Sequence, residues 1–237
     1  MNILTKLASR KMHPQTYSFS TTKEERDGFC ASIINSSSPR AGFYLLIVLS
    51  TFIVAAGLIK NSIILLIGGM MVAPLLSPIL SISLAMVIVD LKVLARSFLI
   101  FLISALASLL VAMLIGLVVE FDLKNIAILN LMHSFDYATL LIPIAAGAAA
   151  SFTWAKKDLN GSLAGVAVTV TLMPPLATMG LALATKSYGI FFDSFVVYLL
   201  NVSGIIFGSL IIFLLMKFSQ SAKTVIKQVE QEDRVTS

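Results

Sequence analysis

Six apolar runs divide this chain, at Ala41–Ile59, Ser62–Val89, Ser97–Val119, Ala138–Ala155, Ser162–Thr185 and about Ser194–Met216. A helix needs about 20 apolar residues to cross the hydrocarbon core of a bilayer, and each run reaches or approaches that length. No water inside a bilayer satisfies open backbone groups, so such runs must close their hydrogen bonds within themselves, as helices. Composition agrees. The chain is 58% hydrophobic and only 12% charged, about half the charge a soluble domain uses to cover its surface. That excludes a cytosolic enzyme. A nucleic-acid binder is excluded too, despite the net charge of +5, because the basic residues sit between apolar runs rather than along one face.

Those basic residues set an orientation. Fourteen of the 17 Lys and Arg lie before the first run, in the second and fourth loops and after the last run, leaving Lys60, Lys124 and Lys186 for the other three loops. Short loops rich in Lys and Arg stay in the cytoplasm. Both termini are therefore expected inside a cytoplasmic membrane, with the 120–137 loop outside. The division that follows is a cytoplasmic N-terminal segment 1–40, membrane repeats 41–119 and 138–216, and a cytoplasmic tail 217–237. No cleavable leader is expected. Ile3, Leu4 and Leu7 beside Lys6, Arg10 and Lys11 fit a short basic helix on anionic lipid. Phe218, Ala222, Val225, Ile226 and Val229 fit a continuation of the last helix. Cys30 is a lone thiol and reads as a bystander.

The two membrane repeats rest on a near-duplication. Met70-Met71-Val72-Ala73-Pro74-Leu75-Leu76-Ser77-Pro78 in the second run is echoed by Thr171-Leu172-Met173-Pro174-Pro175-Leu176-Ala177-Thr178 in the fifth. Each run follows a short polar turn with an asparagine, Asn61 or Asn160. Three spans per repeat is an odd number, so the second repeat enters the membrane inverted. The expected fold is an all-α integral membrane protein of six transmembrane helices, built as two inverted three-helix repeats with helices 2 and 5 interrupted by proline. Matching interrupted spans, one per half, point to a midplane binding site in secondary transporters of this plan.

The chemistry of such a site is backbone chemistry. Proline lacks an N–H and clashes with the carbonyl one turn back. Pro74 with Pro78, and Pro174 with Pro175, would free carbonyls for a cation, and the following half-helices would offer N–H groups to an anion. Two inward half-helix N-termini favour the anion slightly. Ser77, Ser81, Thr171 and Thr178 add hydroxyls, Asn61 a helper amide, and Gly68 and Gly69 room for close backbone approach. A single proline in a membrane helix is more often a kink than a site; two pairs in corresponding positions shift the balance towards a functional break. Asn201 reads two ways, as a group reaching this centre or as an interhelical hydrogen bond. Gly204–Gly208 and Gly161–Gly165 read as close helix packing within the subunit, Asp90 and Glu120 as interfacial caps.

No charged side chain or histidine falls in the centre of any run. Proton coupling through a buried carboxylate is therefore disfavoured, and so is catalysis, since no nucleophile–base pair, metal cluster or cofactor motif is present. No enzyme activity, cofactor or metal is expected.

At these residues the chain resembles the uncharacterised hydrophobic domain family, domain of unknown function number 389. The resemblance rests on Gly57–Ser62, Ile67–Ile79, Ala145-Ala146-Gly147, Gly165–Val168 and Leu172–Ala177, with Asn201 where members tend to carry asparagine. This chain has Gly68-Gly69-Met70 where the family usually shows Gly-Ala-Met, and Ser77-Pro78 where it shows Gly-Pro. The similarity covers about residues 40–216. It implies an integral membrane protein of prokaryotic type and brings no substrate. Some members carry an added soluble domain; none is expected here.

Two functions fit these features. One is a transporter or channel for a small ion or small polar solute, bound at mid-membrane by the broken helices. The other is an accessory or scaffold protein whose kinks serve packing. The expected partners are the lipid bilayer, that ion or solute and a second copy of the chain.

Overall fold

The computed structural model describes residues 23–38, 40–123, 126, 137–155, 162–221 and 226. Among these it is all-helical: α1 Lys23–Ser36, α2 Ala41–Ile59, α3 Ile63–Val72, α4 Leu76–Ile88, α5 Leu91–Val118, α6 Tyr137–Ala155, α7 Ser162–Ala184 and α8 Tyr188–Leu215, then a 3-10 turn at Phe218–Ser221. His133, Asp136, Asn160, Gly161 and the first 22 residues lie outside the described residues.

Three helices, α2, α5 and α8, are long and apolar enough to cross a membrane, and the bent pair α3–α4 makes a fourth crossing if taken as one span. Their outer faces are apolar: Leu45, Leu49 and Phe52 on α2, Phe98, Leu102 and Leu106 on α5, and Phe192, Leu199 and Phe207 on α8 are all exposed. Water would not tolerate so much contiguous apolar surface; lipid does. The interior holds the small and polar residues. Ser50, Thr51, Ser81, Ser83, Ser97, Ser104, Ser151 and Ser209 are all buried.

The helices of the third and sixth runs begin earlier than hydropathy places them. α5 starts at Leu91, so Lys92 and Arg96 lie inside its first turns, and Asp90 caps it by accepting from the N–H groups of Lys92 and Val93, both at 2.9 Å. α8 starts at Tyr188 and takes in Asp193. Hydropathy marks the hydrocarbon slab, whereas a capped helix continues through the interface.

Glycine sets the closest approaches. Gly204 and Gly208 of α8 lie against Pro143, Ile144 and Ala148 of α6, and Gly147 of α6 lies against Ile205. This Gly-xxx-Gly pair is used within the subunit. Gly180 of α7 meets Leu109 and Met113 of α5, while Gly116 of α5 meets Leu181 and Ala184 of α7. The two helices therefore run in the same direction.

The expected basic helix at Ile3, Leu4 and Leu7 lies outside the described residues, and the segments on either side of the bundle that are described pack into its core. α1 buries Phe29, Cys30, Ile33 and Ile34, and Phe29 packs edge-on to Phe213 and Phe218, 5.4 and 4.9 Å between centroids. α8 does not continue into the tail. It stops at Leu215, Lys217 turns the chain at φ 57°, and Phe218 folds back into the core.

Candidate functional site

The second run breaks where its prolines stand. α3 ends at Val72, Ala73 is extended (φ −69°, ψ 122°), and α4 leaves at 51° to α3. A proline ring crowds the preceding residue out of the helical region, and Ala73 precedes Pro74. Pro78 is the third residue of α4, a first-turn position whose N–H would lack an intrahelical partner in any case. The carbonyl of Pro74 accepts from Ser77 Oγ at 3.2 Å.

The fifth run does not break. α7 is one helix with Pro174 and Pro175 inside it, so the expectation of two interrupted helices holds only for the first. Two causes separate them. Pro175 removes the N–H owed to the Thr171 carbonyl four residues back, and Asn201 Nδ2 on α8 donates to that oxygen at 2.6 Å. Thr178 Oγ1 donates to the Pro174 carbonyl at 2.8 Å. Asn201 thus closes the gap that Pro175 opens, while the Thr178 bond goes to a carbonyl four residues back that proline does not free. Packing is the second cause: residues 172–182 are buried on every side, whereas Ile63, Ile64, Ile67 and Met71 leave α3 exposed at the edge with room to swing. Only α4 therefore offers a half-helix N-terminus, so one of the two dipoles that favoured an anion is gone.

The other site residues divide. Ser77, Thr178 and Asn201 are buried. Gly69 approaches Val54 and the Ser50 carbonyl of α2 at 2.7 to 3.0 Å from where a Cβ would stand, while Gly68 has open space around it. Close approach is therefore the role of Gly69 alone. Asn61 is not with the prolines. It is exposed in the α2–α3 turn at φ 50°, where its N–H donates to Leu58 and that of Ser62 to Gly57. These are the two bonds of a Schellman C-cap, a position that favours glycine or asparagine, and α3 separates it from Pro74 by about 15 Å. A contact the sequence reading passed over is Ser81 Oγ to Ser97 Oγ, 2.7 Å, which ties α4 to α5. α8 packs against both α4 and α7, so it is the shared neighbour of the break and the proline pair.

The break, the proline pair and Asn201 all lie within residues 70–207, the stretch matched by the family described as "Domain of unknown function (DUF389)". The chain belongs to the DUF389 family. A curated relative, the uncharacterised protein MJ0678 of Methanocaldococcus jannaschii, is 27% identical over 191 residues, which is 81% of this chain and 58% of that protein. The chain thus spans less than two thirds of the relative's length. No solved structure matches. Within this DUF389 chain, Asn61, Gly68 and Gly69 fall before the matched stretch.

Proposed function

We propose that this DUF389 protein is a small inverted-repeat transporter or channel of the cytoplasmic membrane. It binds a small ion or small polar solute at mid-membrane and does not convert it. The observation that carries the reading is the break at Pro74, whose polar neighbours Ser77 and Ser81 are buried and uncharged. A bilayer tolerates irregular backbone where it is enclosed by protein or lines a cavity.

The helix pairings support the inverted six-span plan. α2 packs on α3 as α6 packs on α7, α4 on α5 as α7 on α8, and α5 on α7 as α8 on α4. Depth supports a midplane site. Phe101 and Tyr198 are each the eleventh residue of a 28-residue helix and their rings stack. Each is about 15 Å from its helix start, which together give the roughly 30 Å of a hydrocarbon core.

Reconstituted vesicles test this reading. Solute flux through wild type that falls severalfold in Pro74→Ala and Ser77→Ala, with the protein still folded, upholds it; flux equal to wild type in both variants removes the site from the break. A second reading, an accessory protein that moves nothing, draws on a specific fact. The Pro74, Pro174 and Thr171 carbonyls each already accept from Ser77, Thr178 and Asn201. Absence of flux for every small ion and solute tried favours it.

A further inference from the structure

The stacked rings of Phe101 and Tyr198, with centroids 6.2 Å apart and planes 2° from parallel, divide the seam between α5 and α8 into two unlike sides. α7 runs with α5 and is joined to α8 by a tight turn at 185–187, so α5 and α8 are antiparallel. One turn before each ring stands a serine, Ser97 on α5 and Ser194 on α8. They fall on opposite sides of the stack.

On the Ser97 side the polar groups answer one another. Ser97 bonds Ser81, and Asn201 bonds the Thr171 carbonyl. On the Ser194 side they do not. Ser194 is 1% exposed, Ser108 0% and Tyr198 5%, and none of the three hydroxyl oxygens has a hydrogen-bond partner. Ser108 lies two turns beyond Phe101 on the same stripe of α5. A helical aromatic side chain leans over the turn before it, which carries the Tyr198 hydroxyl towards Ser194. The lost pairing has a sequence cause: Leu181 stands as far beyond Pro174 as Ser81 stands beyond Pro74. Asp193 is exposed on the outer side of α8.

Buried hydroxyls without partners are unfavourable, and each of these three still has a proton to donate. The Pro74, Pro174 and Thr171 carbonyls accept from Ser77, Thr178 and Asn201, whereas three O–H donors remain unused. We infer that Tyr198, Ser194 and Ser108 line a site for a small monovalent anion of chloride size, on the extracytoplasmic side of the ring stack. This deepens, and rests on, the transporter reading.

Chloride binding to the purified full chain, measured by equilibrium dialysis of radioactive chloride in gluconate buffer, tests the site. Wild type is expected to bind chloride, and Tyr198→Phe and Ser194→Ala each to bind it about tenfold or more weakly, the effect of one hydrogen bond to a charged group. Neither variant should melt lower than wild type in chloride-free buffer, since each removes a hydroxyl with no protein partner. Ser83→Ala, whose hydroxyl bonds the Ile79 carbonyl of its own helix, is expected to bind like wild type. No chloride binding by wild type, or equal binding by Tyr198→Phe and Ser194→Ala, overturns the site. Binding lost in these variants, in a protein that moves no solute across vesicles, upholds the site and overturns the transport reading. Chloride binding equal to wild type in both variants, beside undiminished solute flux, overturns the site and leaves the transport reading standing.

Discussion

Asn201 shows how one side chain decides whether proline breaks a helix. Its amide replaces the N–H that Pro175 lacks, so Asn201→Leu leaves the Thr171 carbonyl buried and unanswered. That should destabilise the protein by about 1–2 kcal/mol. Pro175→Ala restores the backbone donor. In that background the cost of Asn201→Leu should fall by about 1 kcal/mol, read from a double-mutant cycle of unfolding in mild detergent; additive effects contradict the account. Cys30 gives a second expectation. Burial, with Asp27 second, pushes its thiol up to about 12, whereas an unfolded thiol ionises near 8.5. The folded thiol stays neutral at pH 8–9 and should react with a maleimide slowly until the chain is unfolded. Between those two values only the unfolded chain sheds the proton, so the stability tied to this group is full below about 8.5 and falls as pH rises towards 12.

Elements were legible in the sequence where their cause is local. The first run coincides with α2, and the break falls at Pro74, because apolar length and proline sterics need no knowledge of neighbours. The proline pair of α7 was misread because Asn201 arrives from a helix 26 residues further on, and enclosure by other helices has no local signal. Tyr198, Ser194 and Ser108 were passed over too. The available clue was that Phe101 and Tyr198, with Ser97 and Ser194, recur at one spacing in the two third spans. Helix packing gives a contrast. A Cβ on Gly208 would land on the Ile144 carbonyl, while one on Gly68 meets nothing. Gly208→Ala should destabilise by about 1–3 kcal/mol, and Gly68→Ala should be neutral or slightly stabilising through helix propensity, both measured by thermal melting.

For the whole molecule, the scarcity of charge marks a membrane protein, and its placement carries an expected orientation. Reporter fusions at both termini should report the cytoplasm, and one in the 120–137 loop the outside; the reverse pattern contradicts the positive-inside assignment. The break at Pro74 and the buried, uncharged hydroxyls beside it, with the inverted repeat we propose, lead to one claim, that solute reaches mid-membrane at Ser77. Cysteine accessibility tests it most directly, in a Cys30→Ser background with Ser77→Cys and, as a buried apolar control, Leu84→Cys. A small water-soluble thiosulfonate should label Ser77→Cys in sealed vesicles while Leu84→Cys stays unlabelled. Ser77→Cys as inert as Leu84→Cys, in folded protein, would contradict the account and leave the break as a packing feature.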